Sequence, residues 1–447
     1  MVNFRKQHLL FWLGSLLCVA LCLGLRFYQI GAQSYWLDEM VSLHFAGNQF
    51  LKAVLWDNHP PLYFLILKAW LHFFGYSEIA TRGLSAIIST GTLTVLLYQL
   101  TKRWGGMWAF LAGCLFILSP AQILMSQETR MYTLFELGLA IQYFCFLDWF
   151  SNRDRRNLKW LIGSTVFFLC THYLAVVVLV AETLFAWKGH LIRRKWWILG
   201  TLIAWSCLVV FVLVDWKYLR WQKQSWLEVS ALQEFLHLVS DLFWGRAAFG
   251  LVALVLSVYS VRKNKDNLEL CILLLPWFSI SILLSIGLVM GRNIFFVRYF
   301  EFLIVPFIVS IVLALRSLSK WLVGVGIAIV VICCAIYLPE VYAIKKAPWK
   351  DVAAYIGENP GPVYTTRTLA LETPYFSSRK IPVLRYVNVA SLPLKKEPVY
   401  IVETYFQGIT SFPVIQEQLH QSGVQSEMLQ FERNGSDIVL VLRILPH

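Results

Sequence analysis

Residues 9–25 read LLFWLGSLLCVALCLGL, and this run decides the fold. No charge interrupts it from Leu9 to Leu25, so as a helix rising ~1.5 Å per residue it would cross most of the ~30 Å of hydrocarbon in a bilayer. Arg5 and Lys6 precede the run and Arg26 closes it. That layout also fits a signal peptide, but Arg26 to Gln33 offers no small-x-small cleavage site, so the segment reads as a retained span. Just beyond it stand Trp36-Leu37-Asp38-Glu39, two adjacent carboxylates at the end of a membrane helix.

The same grammar repeats along the chain. Of 447 residues, 58% are hydrophobic and 15% charged, against about 25% charged in a globular domain, so this apolar surface cannot be hidden in a soluble core. Further apolar blocks lie near 83–101, 107–125, 131–150, 158–173, 174–188, 196–215, 243–261, 268–290, 299–315 and 321–338, making eleven expected spans with the first at 8–27. The fold class is therefore an all-α polytopic membrane bundle. His59 to Gly75 is apolar but short and opened by Pro60-Pro61, which fits either a crossing or an interfacial helix.

Charge decides between these. If His59–Gly75 stays on one face, the basic loops with Arg5/Lys6, Lys102/Arg103, Arg153/Arg155/Arg156/Lys159, Lys188/Arg193/Arg194/Lys195, Arg262/Lys263/Lys265 and Arg316/Lys320 share one side. The positive-inside rule makes that side, and the N-terminus, cytoplasmic. The net charge of +13 is thereby a topological signal; without an aromatic-interleaved basic patch it does not point to nucleic acid. Residues 28–82 become a first outer loop, and the turns at Ser126–Arg130, Thr171–Tyr173 and Gly291–Arg298, the stretch 216–242 and the tail also lie outside. Trp36, Trp104, Trp108, Trp149, Trp160, Trp196, Trp197 and Trp216 stand near span ends as membrane-interface anchors. The nine cysteines fall in apolar blocks and show no metal-ligand spacing with histidine.

After about residue 338 the composition turns polar, with short β-branched runs. Trp349–Ile356 and Ile415–Gln421 read as helices, and Val363–Thr366, Ile381–Tyr386, Val399–Thr404 and Ile438–Ile444 as strands. The expected division is a transmembrane domain at 1–338 and a small extracytoplasmic α/β domain at 339–447.

Polar residues that topology does not require collect on the outer side. Asp38-Glu39 beside apolar neighbours could supply a general base, or could only stabilise the N-terminus of a helix over Met40–Phe50. His59 stands before Pro60-Pro61, where a helix start is ordinary architecture. The turn Ser126-Gln127-Glu128-Thr129-Arg130-Met131-Tyr132 holds an amide, an acid and a base that solubility alone does not demand. His172-Tyr173, Arg292 and Arg298-Tyr299 share this side. Arginine suits a phosphate because its planar fork bonds bidentately, whereas each arginine singly could be reaching for headgroups.

Taken in order, Trp36-Leu37-Asp38-Glu39, His59-Pro60-Pro61-Leu62-Tyr63, Ser77-Glu78 with Arg82, Ser119-Pro120, and Ser126 to Tyr132 resemble bacterial glycosyltransferase family 39. That family is similar to protein O-mannosyltransferases and the lipid A aminoarabinose transferase. The likeness is ordered over about the first 135 residues and weaker beyond, where Arg298-Tyr299 and Pro306 match a later segment. The resemblance implies a GT-C fold, a polyprenyl-phosphate sugar as donor, and a lipid, glycan or protein acceptor in the envelope outside the plasma membrane. It places the family's first-loop acid on Asp38, beside Glu39, and its second-loop acid on Glu128. Asp38 is then the expected base of an inverting hexosyl- or pentosyltransferase, with Glu39 and Glu128 orienting acceptor or donor. Arg130 and Arg298 are expected to hold the phosphate, and His59, Gln127, Tyr132, His172, Tyr173 and Tyr299 to line the substrate site. A divalent metal bridging Asp38 and the phosphate is compatible with this chemistry, but the sequence offers no clear ligand set. The rival reading is a flippase or transporter, for which buried Glu136 and Glu182 would be the signal.

Overall fold

The computed structural model describes residues 2–47, 59–188, 247–263, 266–290, 297–343, 345–365, 375, 383–385, 392, 397–404, 411–432 and 439–445. Its helices are α1 (Val2–Phe27), α2 (Leu37–Ala46), α3 (Leu62–Phe74), α4 (Glu78–Trp104), α5 (Gly106–Ile117), α6 (Pro120–Ser126), α7 (Tyr132–Asn152), α8 (Arg155–Leu169), α9 (Ala175–Lys188), α10 (Ala247–Lys263), α11 (Asn267–Met290), α12 (Ile304–Leu315) and α13 (Lys320–Val341). Two 3-10 turns, Val297–Tyr299 and Glu301–Leu303, lead into α12. Ten of the eleven expected spans thus coincide with a helix or helix pair. The span expected at 196–215, the stretch 216–242, Arg292, and Trp196, Trp197 and Trp216 lie outside the described residues.

By length and composition three described helices can cross a membrane, α4, α11 and α13, or four if α5 and α6 form one broken span. The expected span at 107–125 is indeed broken, by a 63° bend. The cause is Ser119-Pro120: the residue before a proline is driven out of the helical region, and Ser119 is extended, while Pro120 starts the next helix. Helix α3 has 13 residues, about 20 Å, which falls short of the hydrocarbon thickness. It ends at Gly75, whose φ of +79° a residue with a Cβ adopts at a cost.

The chain forms two compact units. One comprises Met1–Tyr28, Leu51–Ile66 and Gly83–Val341 and holds the helical core, in which Phe116, Phe135, Phe144, Phe146 and Trp149 are fully buried. The other comprises Gln29–Phe50, Leu67–Arg82 and Tyr342–His447.

In the second unit, α14 (Trp349–Glu358), β1 (Val363–Thr365), β2 (Val383–Arg385), β3 (Val399–Thr404), α15 (Ser411–Gln421), β4 (Ser426–Phe431) and β5 (Val439–Ile444) build a five-stranded sheet ordered β2-β1-β3-β5-β4. Strand β1 pairs in parallel with β2 and β3, and β5 antiparallel with β3 and β4. Both faces are covered. Tyr400, Val402, Val439 and Val441 meet Trp349, Val352 and Ile356 of α14, while Val399, Ile401, Leu440 and Leu442 meet Ile415 and Leu419 of α15. This double burial is why the central strands read as unbroken apolar runs. Strand β4 was not expected: Ser-Glu-Met-Leu-Gln-Phe contains no β-branched residue and takes the sheet edge, where polar side chains stay wet.

A Cβ on Gly361 would stand 1.9 Å from the Pro398 carbonyl oxygen, a backbone atom that cannot rotate away. Gly361→Ala is therefore expected to destabilise the sheet by about 1–3 kcal/mol, read as a lower unfolding midpoint followed by circular dichroism.

Candidate active site

The second unit places the acidic pair. Helix α2 starts at Leu37, so Asp38 and Glu39 occupy its first turn, where carboxylates complement the helix dipole. Glu39 accepts from the Trp36 backbone N–H at 3.3 Å, returning a bond to the helix start. The helix-start reading of these acids therefore holds, and for Glu39 there is more. Its carboxylate is fully buried and paired bidentately with Arg82, Nε to Oε1 at 2.8 Å and Nη2 to Oε2 at 2.9 Å. Lys346 Nζ adds a third cationic contact at 3.0 Å.

Arg82 spends its other N–H groups on the carbonyls of Ile30, Gln33 and Ser34 at 2.8–3.0 Å, so all five guanidinium donors are used. Tyr35 lies under this guanidinium at 5.3 Å and bonds Tyr76 O and Thr81 Oγ1, both at 2.8 Å. Burial pushes the Tyr35 phenol up, so it stays a donor. Tyr375 donates to the Glu78 carboxylate and accepts from the Tyr35 backbone N–H at 2.9 Å. Asp38, partly exposed, sits next to this assembly in the chain.

The helical unit places the second-loop group. Glu128, Thr129 and Arg130 form the turn between α6 and α7, with Ser85 Oγ donating to the Glu128 carbonyl at 2.6 Å. Gln127 gives its amide to the carbonyls of Arg26 and Tyr28 at 3.0 and 2.8 Å, capping α1. The Arg130 guanidinium lies over the Tyr132 ring at 5.8 Å, and Arg298 over Tyr299 at 5.5 Å.

His172 stacks on Phe135 at 4.7 Å, and His59 meets it edge-on at 5.2 Å. The Leu174 backbone N–H donates to His172 Nδ1 at 3.1 Å, which leaves the imidazole proton on Nε2. Burial first, then His59 and Arg130, holds His172 well below the usual histidine range, so it is a neutral donor. Phe135 also packs on Phe302 at 4.3 Å, which draws the Arg298–Leu303 segment to the same aromatic group. His59, Arg130 and His172 thus come together, with Tyr173 half-buried beside them in the chain.

Sequence reasoning missed Lys346 and Tyr375 as partners of the first loop, and it missed Glu301. Gln122 donates to Glu301 at 3.4 Å, and Glu301 lies within electrostatic reach of Glu136 and Glu128. Neither buried Glu136 oxygen has a hydrogen-bond donor among the described residues, whereas Glu182 accepts from Gln142 at 2.7 Å across to a neighbouring helix. Among the described residues no group of three or more His, Cys, Asp or Glu side chains is placed to hold a metal.

No protein-family model matches the sequence, and no curated protein does. Solved structures do. ArnT from Cupriavidus metallidurans in the apo state is similar at a TM-score of 0.62 and 14% identity, covering 95% of this chain and 97% of that one. The chain has the ArnT fold. The same ArnT bound to undecaprenyl phosphate gives 0.60 with equal identity and coverage. The helical bundle expected from the sequence is therefore matched in fold by ArnT, and among the described residues three or four helices are long and apolar enough to cross a membrane.

Within the ArnT fold the buried Glu39–Arg82 pair is costly to break. Arg82→Met should lower stability by about 3–5 kcal/mol, because it leaves the buried carboxylate with Lys346 as its one cation and takes the arginine's donors from three carbonyls; thermal unfolding in detergent measures it. His172 gives a pH test. Its proton affinity is depressed in the folded state, so below about pH 6.5 the unfolded chain binds more protons and stability falls with pH. His172→Phe, which keeps the stack on Phe135, is expected to lose less stability than the native protein between pH 7.5 and 5.5.

Proposed function

We propose that the protein is an inverting membrane glycosyltransferase that takes a hexosyl or pentosyl group from a polyprenyl-phosphate donor. The acceptor is a hydroxyl of an envelope lipid, glycan or protein on the outer face of the plasma membrane. The observation that carries this reading is the likeness of 95% of the chain to an ArnT structure bound to undecaprenyl phosphate. The basic loops support an N-terminus in the cytoplasm and residues 339–447 outside.

In this reading Asp38 is the base. Its carboxylate takes the acceptor O–H proton as the acceptor oxygen bonds the anomeric carbon; the bond from that carbon to the phosphate oxygen breaks, and its electron pair leaves on polyprenyl phosphate. A single displacement inverts the anomeric centre and needs no enzyme nucleophile. Charge accumulates on the departing phosphate, so fixed cations accelerate this step. Arg130 and Arg298 take that role, and His172, neutral and protonated on Nε2, adds a hydrogen bond without adding charge. Glu128, two residues before Arg130 in the same turn, orients acceptor or donor, with His59, Tyr132, Tyr173 and Tyr299 lining the substrate. Gln127 and Glu39 act at one remove, by holding the end of α1 and the start of α2.

A second reading, a flippase for the same lipid, draws on the buried Glu136 and Glu301. The two separate by experiment. Asp38→Asn is expected to cut consumption of undecaprenyl-phosphate hexoses and pentoses about a hundredfold or more while still binding undecaprenyl phosphate; wild-type turnover removes Asp38 from the mechanism. Arg130→Gln should weaken undecaprenyl phosphate binding about tenfold or more, the worth of a charge-assisted bond. Lipid counterflow in proteoliposomes that survives Asp38→Asn, with no sugar consumed, would favour the flippase.

A further inference from the structure

The first ten residues after α13 are sewn to the loop that carries Asp38. Gln33 Oε1 accepts from the backbone N–H groups of Lys345 and Lys346 at 3.0 and 3.1 Å, and Gln33 Nε2 donates to Ala343 O at 3.4 Å. Ser34 Oγ accepts from Lys350 N at 3.1 Å, and Lys350 Nζ reaches Gly31 O at 2.7 Å and Glu78 at 2.9 Å. Lys346 then enters the ion pair, contacting Glu39 Oε2 at 3.0 Å with its ammonium 6.0 Å from the Trp36 ring.

This second cation exceeds what neutralising Glu39 requires. Arg82 alone balances the carboxylate and meets both of its oxygens. Lys346 instead joins Arg82 Nη2 and the Trp36 N–H on Oε2, while Arg82 Nε holds Oε1, so the Glu39 carboxylate accepts from four donors. A carboxylate held at both oxygens by four donors cannot swing, and Glu39 is part of the first turn of α2, adjacent to Asp38. Distance in the chain makes this expensive to arrange, since Lys346 lies 307 residues from Glu39, and a lysine kept only for solubility would stay exposed, whereas the Lys346 side chain is mostly buried.

We infer that Lys346 is a positioning residue for the reaction: through Glu39 it fixes the first turn of α2, and so the place of Asp38, making the start of the C-terminal segment part of the active-site architecture. The inference rests on the glycosyltransferase reading for the role of Asp38, but its geometric half stands apart. A base must be held to a fraction of an ångström of the hydroxyl it serves, and small misplacements are felt in turnover rather than in donor binding.

The test compares Lys346→Met, Lys346→Arg, Glu39→Gln and the Glu39→Gln/Lys346→Met double variant in full-length protein. Turnover of undecaprenyl-phosphate sugars, binding of undecaprenyl phosphate alone, and hydrogen exchange at the amides of residues 36–41 are all followed. Lys346→Met is expected to lose about tenfold or more in kcat, with undecaprenyl phosphate affinity within about twofold, and to exchange faster over 36–41. Lys346→Arg should recover most of both, and the double variant should be no worse than Glu39→Gln alone, because the lysine acts through the carboxylate. Wild-type kcat in Lys346→Met, failure of arginine to rescue, or additive losses in the double variant would overturn the proposal. Should Lys346→Met not fold, Gln33→Leu, which removes the acceptor for Lys345 and Lys346, must give the same kcat and exchange signature. Failure of the broader reading looks different: no variant, Asp38→Asn included, changes sugar consumption, and the exchange of 36–41 alone then decides, unchanged exchange refuting the inference.

Discussion

Taking Glu39 out of water is the act on which the second unit is built. An effective penalty of several kcal/mol attends each buried ion, and it is offset only when every lone pair and every donor finds a partner. The chain meets that demand by bringing together three separated pieces: the loop after α1, the first turn of α4, and the segment after α13. Ile30, Gln33 and Ser34 lend carbonyls, Arg82 lends a complete guanidinium, and Lys346 completes the shell. None of these pieces satisfies the carboxylate alone, so the assembly forms as a whole.

The helical unit answers a different question, how to keep polar groups among apolar helices. Arg26 is fully buried, and its guanidinium is spent on Ser89 Oγ and on the carbonyls of Phe116 and Ile117 at the end of α5. The break at Ser119-Pro120 ends the helical ladder there, leaving Phe116 O only a tight-turn bond from the Ser119 N–H at 3.3 Å, so the arginine supplies donors where the bend removes them. Glu182 finds Gln142, whereas Glu136 finds no donor among the described residues. The contrast marks the region around Glu136, Glu301 and Gln122 as the part of the interior whose polarity is not explained by packing.

Much of this was legible from the sequence because membrane spans are dictated by long uncharged runs, and helices stand wherever such runs and described residues coincide. Strands β3 and β5 were legible too, being β-branched and buried on both faces. What could not be read was anything set by distant partners. Arg82 stood in the ordered motifs, but nothing local reveals that it faces Glu39. Lys346 carried a usable signal: like Arg130, it is a basic residue in a segment that the expected topology puts outside, where the charge rule asks for none. The break at residue 120 was also signalled by its proline, and went unread because the flanking apolar run was continuous.

Gln127 carries a mechanical implication. Its amide holds the last carbonyls of α1 while Glu128 follows directly in the chain. A ligand that shifts the acid must therefore either pull on Arg26 and Tyr28 or break two hydrogen bonds. The end of α1 thus serves as an anchor for the turn that carries Glu128.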